Sequence, residues 1–250
     1  MTLRAAVAAA LAAVCMETSA AGLGDGVSAH VRAGYSLGGA SPITMPAEIR
    51  SLDRFTLQPN ISVGVEVSKP LAGKFGAALG VRLENKAMDL AATVKGYRLT
   101  MVQGGEEISG VYTGTVETQV FEWMVTVPLQ AAWQPCRNVS VKAGPYFSVL
   151  LSQKFQGYAK GGYLRMGDPT GVKVLIGEDE DSRGSYDFSG EMRRMQYGVD
   201  VGADWRVHRR IGVFADINWG LTGVFHSGFD TIGQTLYPVF GTIGITYSLK

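Results

Sequence analysis

Residues 195–207 read Met-Gln-Tyr-Gly-Val-Asp-Val-Gly-Ala-Asp-Trp-Arg-Val. The odd positions are Met195, Tyr197, Val199, Val201, Ala203, Trp205 and Val207; the even ones are Gln196, Gly198, Asp200, Gly202, Asp204 and Arg206. Successive side chains on a strand point to opposite faces, so a strict period of two describes a strand with one apolar face and one polar face. A helix would need apolar residues to recur near every 3.6 positions, which this stretch does not show.

The same alternation recurs in windows 27–38, 55–67, 75–83, 121–133, 139–151, 211–221 and 237–249, giving eight windows in all. Across them the odd face carries no charged, amide or hydroxyl-aliphatic side chain, and it holds Trp123, Trp133, Trp205 and Trp219, the four tryptophans of the chain. The even face is rich in glycine and serine and carries Arg32, Glu66, Arg82, Glu122, Lys142, Asp200, Asp204, Arg206 and Asp216.

Volume decides which face is inside. The interior of an eight-stranded barrel is only just wide enough for side chains to fill it. The bulky odd face cannot fit there, whereas the small even face with its few charges can. A closed sheet with its apolar side outward is stable only in lipid, and closure leaves no backbone donor or acceptor facing hydrocarbon. Strands running alternately up and down place Tyr35, Phe55, Trp123, Tyr197, Trp219 and Tyr237 toward one rim. Phe75, Trp133, Trp205 and Tyr247 fall toward the other, as aromatic girdles at two membrane interfaces would.

Connections 68–74, 134–138 and 208–210 are short; 39–54, 84–120, 152–194 and 222–236 are long. This alternation matches short periplasmic turns and long extracellular loops. The segments 84–120 and 152–194 retain strand-forming content, so we expect them to continue the strands above the membrane, with Gly104-Gly105 as a turn. Pro59, Pro128, Pro145 and Pro238 each remove a ladder donor and are expected to mark bulges or breaks.

Composition supports this picture. Of 250 residues, 46% are hydrophobic, 18% are charged and 33 are glycine, against about 25% charged and 7% glycine in ordinary soluble domains. A net charge of +1 gives no reason to expect a nucleic-acid partner. Residues 1–21 read as a secretory signal peptide, with Arg4 before an apolar stretch and Thr18-Ser19-Ala20-Ala21 for cleavage. A lipoprotein reading centred on Cys15 is disfavoured by Val14 beside it. The mature barrel domain is then 22–250, in which Cys136 is the single cysteine and no internal disulfide can form.

Signals of chemistry are weak. His226, Ser227 and Asp230 supply the residue types of a hydrolase, and the run Glu178-Asp179-Glu180-Asp181 supplies carboxylates for a cation, but neither has the spacing of a built site. No cofactor, metal or catalytic site is assigned. Arg32, Glu66, Arg82, Lys142, Asp200 and Asp216 are expected to form a polar network filling the lumen, because buried charges must be paired. Tyr35, Trp123, Trp133, Trp205, Trp219 and Tyr247 are expected to form the girdles.

The stretches Val125 to Trp133 (VTVPLQAAW) and Lys142 to Leu151 (KAGPYFSVLL) resemble paired central strands of the PorT-like outer-membrane β-barrel family, found mainly in Bacteroidota. Ser41 to Leu52, Gly162 to Gly171 and Tyr186 to Ser189 are similar to loop segments of its members. The resemblance implies an outer-membrane location and insertion by the barrel assembly machinery. Its namesake is linked to protein secretion across that membrane. Lys250 stands where such barrels commonly end in an aromatic residue.

The sequence thus predicts an all-β, eight-stranded antiparallel transmembrane barrel, closed or nearly closed. It is embedded in outer-membrane lipid and meets envelope partners through its loops. A non-enzymatic role in surface interaction, envelope assembly or secretion is the leading expectation. A narrow solute or ion channel, and more remotely a rim enzyme acting on lipid A or peptides, are the alternatives.

Overall fold

The computed structural model describes residues 26–42, 47–229 and 235–249. The signal segment 1–21, Asp230 and Lys250 lie outside them.

The described chain is almost entirely antiparallel strand: β1 (Ser28–Pro42), β2 (Ile49–Leu57), β3 (Asn60–Ala72), β4 (Phe75–Gln103), β5 (Glu106–Cys136), β6 (Val139–Met166), β7 (Lys173–Ile176), β8 (Gly184–Asp187), β9 (Met195–Arg206), β10 (Ile211–Gly220) and β11 (Leu236–Ser248). Eight of them close a ring in the order β1-β3-β4-β5-β6-β9-β10-β11, sealed where β1 pairs with β11 from His30↔Ser248 to Pro42↔Leu236. Seven of the eight alternating windows fall on these ring strands, and 55–67 is divided at Pro59 between β2, outside the ring, and β3.

One end of the ring has tight turns (Gly73-Lys74, Arg137-Asn138 and 207–210) together with the first and last described strand ends. At the other end β4, β5 and β6 run on far beyond their neighbours, to 29, 31 and 28 residues. About 9–11 tilted residues suffice to cross a bilayer. Residues 84–120 and the first part of 152–194, read as long connections, are therefore largely strand. Residues 84–120 form one hairpin turning at Gly104-Gly105, both with positive φ, a backbone region that glycine enters without steric cost.

Two kinds of irregularity bend this sheet. Pro59 ends β2, and beyond it the side chain of Asn60 replaces the missing ladder: its Oδ1 accepts from Ala87 N at 2.8 Å and its Nδ2 donates to Ala87 O at 3.1 Å. Asn85 braces the same break, accepting from Ile61 N at 2.8 Å. Bulges supply the second kind. The β5–β6 register shifts between Trp123 and Met124, and the β4–β5 register shifts between Lys95 and Tyr97, beside Gly96 with positive φ. An extra residue flips the parity of everything beyond it. The inward residues of β6 accordingly change from Tyr146, Ser148 and Leu150 to Phe155, Gly157 and Ala159. Those of β4 change from Met88, Ala92 and Val94 to Leu99 and Met101.

Candidate functional site

Inside the ring lies a layer of charge. Arg32 Nη1 meets Glu66 Oε2 at 2.5 Å, and its Nη2 meets Asp216 Oδ2 at 2.9 Å and Asp204 at 3.5 Å. Arg82 reaches Asp200 at 2.9 Å and Asp216 at 3.2 Å. Lys142 reaches Glu66 at 2.6 Å and Asp204 at 2.5 Å. All six residues expected in the lumen network are buried, and the structure brings them into one connected cluster. The guanidinium of Arg32 also lies 4.0 Å above the Phe214 ring, an inward aromatic that the period-two reading passes over.

Glycine makes room for these groups. Across the ladders Arg32 and Arg82 both face Gly64, Glu66 faces Gly80, Asp216 and Lys142 both face Gly202, and Asp200 faces Gly144. A Cβ added at Gly202 would sit 2.0 Å from Asp216 Oδ1. The high glycine content of the even face therefore has a steric cause: long charged side chains cross the lumen above neighbours that have none.

A second polar layer follows. Lys86 Nζ lies 3.3 Å from Glu84, which accepts from Thr126 Oγ1 at 2.7 Å; Gln196 Nε2 donates to Glu122 at 3.2 Å. The alternating window 75–83 stops short of Glu84 and Lys86. They keep the inward parity of Arg82, but their outward neighbours Asn85 and Ala87 no longer mark a greasy face. Arg206, by contrast, is exposed at the tight-turn end and does not join the network.

Below the charge layer, a vestibule of about 150 Å³ opens at the tight-turn end and stops at Glu66, Lys142 and Asp204. Lys69, Lys74, Arg137, Arg209 and Arg210 surround its mouth.

Above the polar layers the interior changes character. Met88, Val94, Leu99, Tyr112, Val116, Phe155, Leu164, Tyr186, Phe188 and Phe225 pack into a buried apolar core between the extended strands. Phe155 meets Phe225 edge-on with ring centroids 4.8 Å apart, and Tyr186 stacks on Phe188 at 5.2 Å. The Tyr186 hydroxyl donates to Glu117 O at 2.9 Å, and Tyr112 reaches Lys160 O at 2.8 Å. Burial pushes the phenols of Tyr97 and Tyr112 up to about 12 and raises that of Tyr186 as well.

The expected girdle residues Tyr35, Trp133, Trp205, Trp219 and Tyr247 are exposed on the outer face, and Trp123 is half-buried there, edge-on to Phe121. Phe55 departs from its expected place. Bulges in β2 pair it with Leu90, on the face shared by Met88 and Ala92, so it turns toward the inside.

Of the hydrolase-like trio, Asp230 lies outside the described residues, and His226 is engaged elsewhere. His226 Nε2 contacts Glu191, and its Nδ1 accepts from Gly228 N at 3.2 Å, which occupies both ring nitrogens. The 178–181 carboxylates are exposed at a loop tip, and among the described residues no three His, Cys, Asp or Glu side chains converge as a metal site.

Residues 19–226 match the outer membrane protein beta-barrel domain family. Among solved structures, the chain is similar to Ail, the attachment invasion locus protein of Yersinia pestis, in complex with a heparin analogue (10% identity, 89% of this chain and 99% of that one, TM-score 0.39). It is also similar to Neisserial surface protein A (10% identity, 89% and 99%, TM-score 0.38) and to OprG of Pseudomonas aeruginosa (11% identity, 89% and 95%, TM-score 0.34). Among curated proteins none matches significantly in sequence. A family match across most of the chain, on a ring with its apolar residues outward, makes this an integral outer-membrane protein, a member of the outer membrane protein β-barrel domain family.

Proposed function

We propose that the chain is a non-enzymatic surface-interaction protein of the PorT-like, Bacteroidota type, with its tight turns in the periplasm and its extended strands outside the cell. It serves as a docking platform for an envelope or secretion partner after insertion by the barrel assembly machinery. The observation that carries this reading is the length of β4, β5 and β6. They exceed a bilayer crossing by well over ten residues each and are held rigid by the apolar core between them.

The far end of this projection leaves large apolar side chains uncovered. Val172 and Leu175 are 71% and 70% exposed, and Met166 and Val102 accompany them. Contiguous exposed apolar groups away from lipid mark an interaction surface. The charge layer supports a platform over a conduit, because its ion pairs span the lumen and the vestibule below ends on them.

Crosslinking on intact cells followed by purification in detergent tests the reading. A protein partner attached through residues 160–180 is expected. A strictly monomeric chain with no crosslinked partner contradicts it, and reproducible unitary conductance in a planar bilayer would favour the channel instead.

A further inference from the structure

Above the closed ring a seam runs between β1 and β2, which are unpaired among the described residues. β1 leaves β3 after Ser36↔Asn60 and continues beside β11 to Pro42, while β2 pairs with β4 alone. The cause lies in β2, whose register against β4 shifts twice within nine residues, between Ile49 and Ser51 and between Leu52 and Arg54. Each bulge adds twist and bends the strand, and the break at Pro59 follows at once. The Ala40 N–H at this edge donates to Met88 Sδ at 3.3 Å, a weak acceptor, where a continuous ladder would supply a carbonyl.

Behind the seam lies a cavity of about 150 Å³, walled by Phe55, Met88, Ala92, Val116, Phe155 and Phe188. Phe55, 42% exposed although it lies on the inward face of its strand, spans the seam, and a Cβ at Gly39 of β1 would come within 3.0 Å of its ring. No charged side chain lines the cavity. The hydroxyls of Thr118 and Tyr186 in its wall bond to each other at 2.7 Å, so they ask nothing of an occupant. Dry apolar cavities of about this volume take a single benzene-sized ring.

We propose that this cavity binds a small uncharged apolar molecule, the size of one aromatic ring or a short alkyl chain, which enters sideways between β1 and β2. Met88, the flexible thioether at the threshold, yields to admit it. The site does not depend on whether the projecting strands hold a protein partner.

Toluene is a suitable probe, with the protein in lipid nanodiscs and its methionine methyls 13C-labelled. The Met88 methyl signal is expected to shift saturably with toluene, while Met195, exposed on the outer face, moves only in proportion to toluene dissolved in the lipid. Ala92→Phe and, independently, Val116→Phe fill the cavity and are expected to reduce the saturable shift at least tenfold in whichever variant folds. A lipid carrying a spin label near its headgroup should broaden Met88, which lines the cavity at the seam, and spare Met101, which does not line it. Parallel, unsaturable shifts at Met88 and Met195 would overturn the site. A shift retained in a folded filled-cavity variant would do the same, and a Met88 signal as sharp as that of Met101 would overturn lateral entry.

Discussion

The two halves of the barrel interior are built on opposite principles although β4, β5 and β6 run through both. In the lower half charge dominates the inward face: Arg32, Arg82 and Lys142 lock onto Glu66, Asp200, Asp204 and Asp216, with glycine across the ladder from most of them. In the upper half the inward side chains are Met, Leu, Val and aromatic, as in the core of a soluble protein. The solvent outside each half explains the reversal. Where lipid covers the outer face, the apolar residues are needed there and the polar ones are left to the lumen. Beyond the lipid, water covers the outer face and the hydrophobic effect again drives apolar groups inward.

Removing a charge from the lower half disturbs this contrast most. Arg32→Met leaves the carboxylates of Glu66, Asp204 and Asp216 short of a partner inside the ring. Removing one member of a buried pair costs roughly 3–5 kcal/mol. Urea unfolding in lipid vesicles is expected to shift accordingly, and by more than for Phe155→Ala or Gly202→Ala.

Phe155→Ala probes the upper half. Truncating a buried phenylalanine costs about 3 kcal/mol or more in a tight core, but the extension can open while the ring stays closed. Hydrogen exchange should therefore speed up in residues 95–115 and 155–190 and remain slow in β9 to β11. Equal loss of protection in both halves would show that they unfold as one unit.

A smaller effect is expected from Gly202→Ala, whose methyl group would press on the Asp216 carboxylate. Overpacking of this kind costs about 1–3 kcal/mol. The same substitution at Gly190, where a Cβ meets nothing within 4 Å, should be close to neutral.

Alkaline pH gives the gentlest probe. The buried phenols of Tyr97 and Tyr112 are raised to about 12, so between pH 10 and 12 the folded chain keeps protons that the unfolded chain releases. Stability conferred by these groups is present below pH 10 and falls as pH rises through that window. Tyrosine circular dichroism should report loosening of the extension there, and Tyr97→Phe with Tyr112→Phe should move the onset upward.

The ring is legible in the sequence because lipid outside and a crowded lumen inside impose a strict period of two, as in Val199-Asp200-Val201-Gly202-Ala203-Asp204. The charge layer is legible for the same reason, up to Arg82. Glu84 and Lys86 escape because the outward face loses its apolar mark above the lipid, so alternation no longer distinguishes inside from outside. The upper core escapes because bulges near Gly96 and Leu151 reverse parity midway along β4 and β6. Phe55 is misplaced on the same grounds, by shifts in β2 that no local composition announces.

The orientation of the two faces is tested most directly by tryptophan fluorescence of the folded protein in vesicles of brominated lipid. Trp123, Trp133, Trp205 and Trp219 all lie on the outer face of the ring. Strong quenching by bromine on the acyl chains, with little quenching by aqueous acrylamide, is the expected result. Tryptophans that ignore the brominated chains would mean the apolar face does not meet lipid, and the barrel would have to be read the other way out.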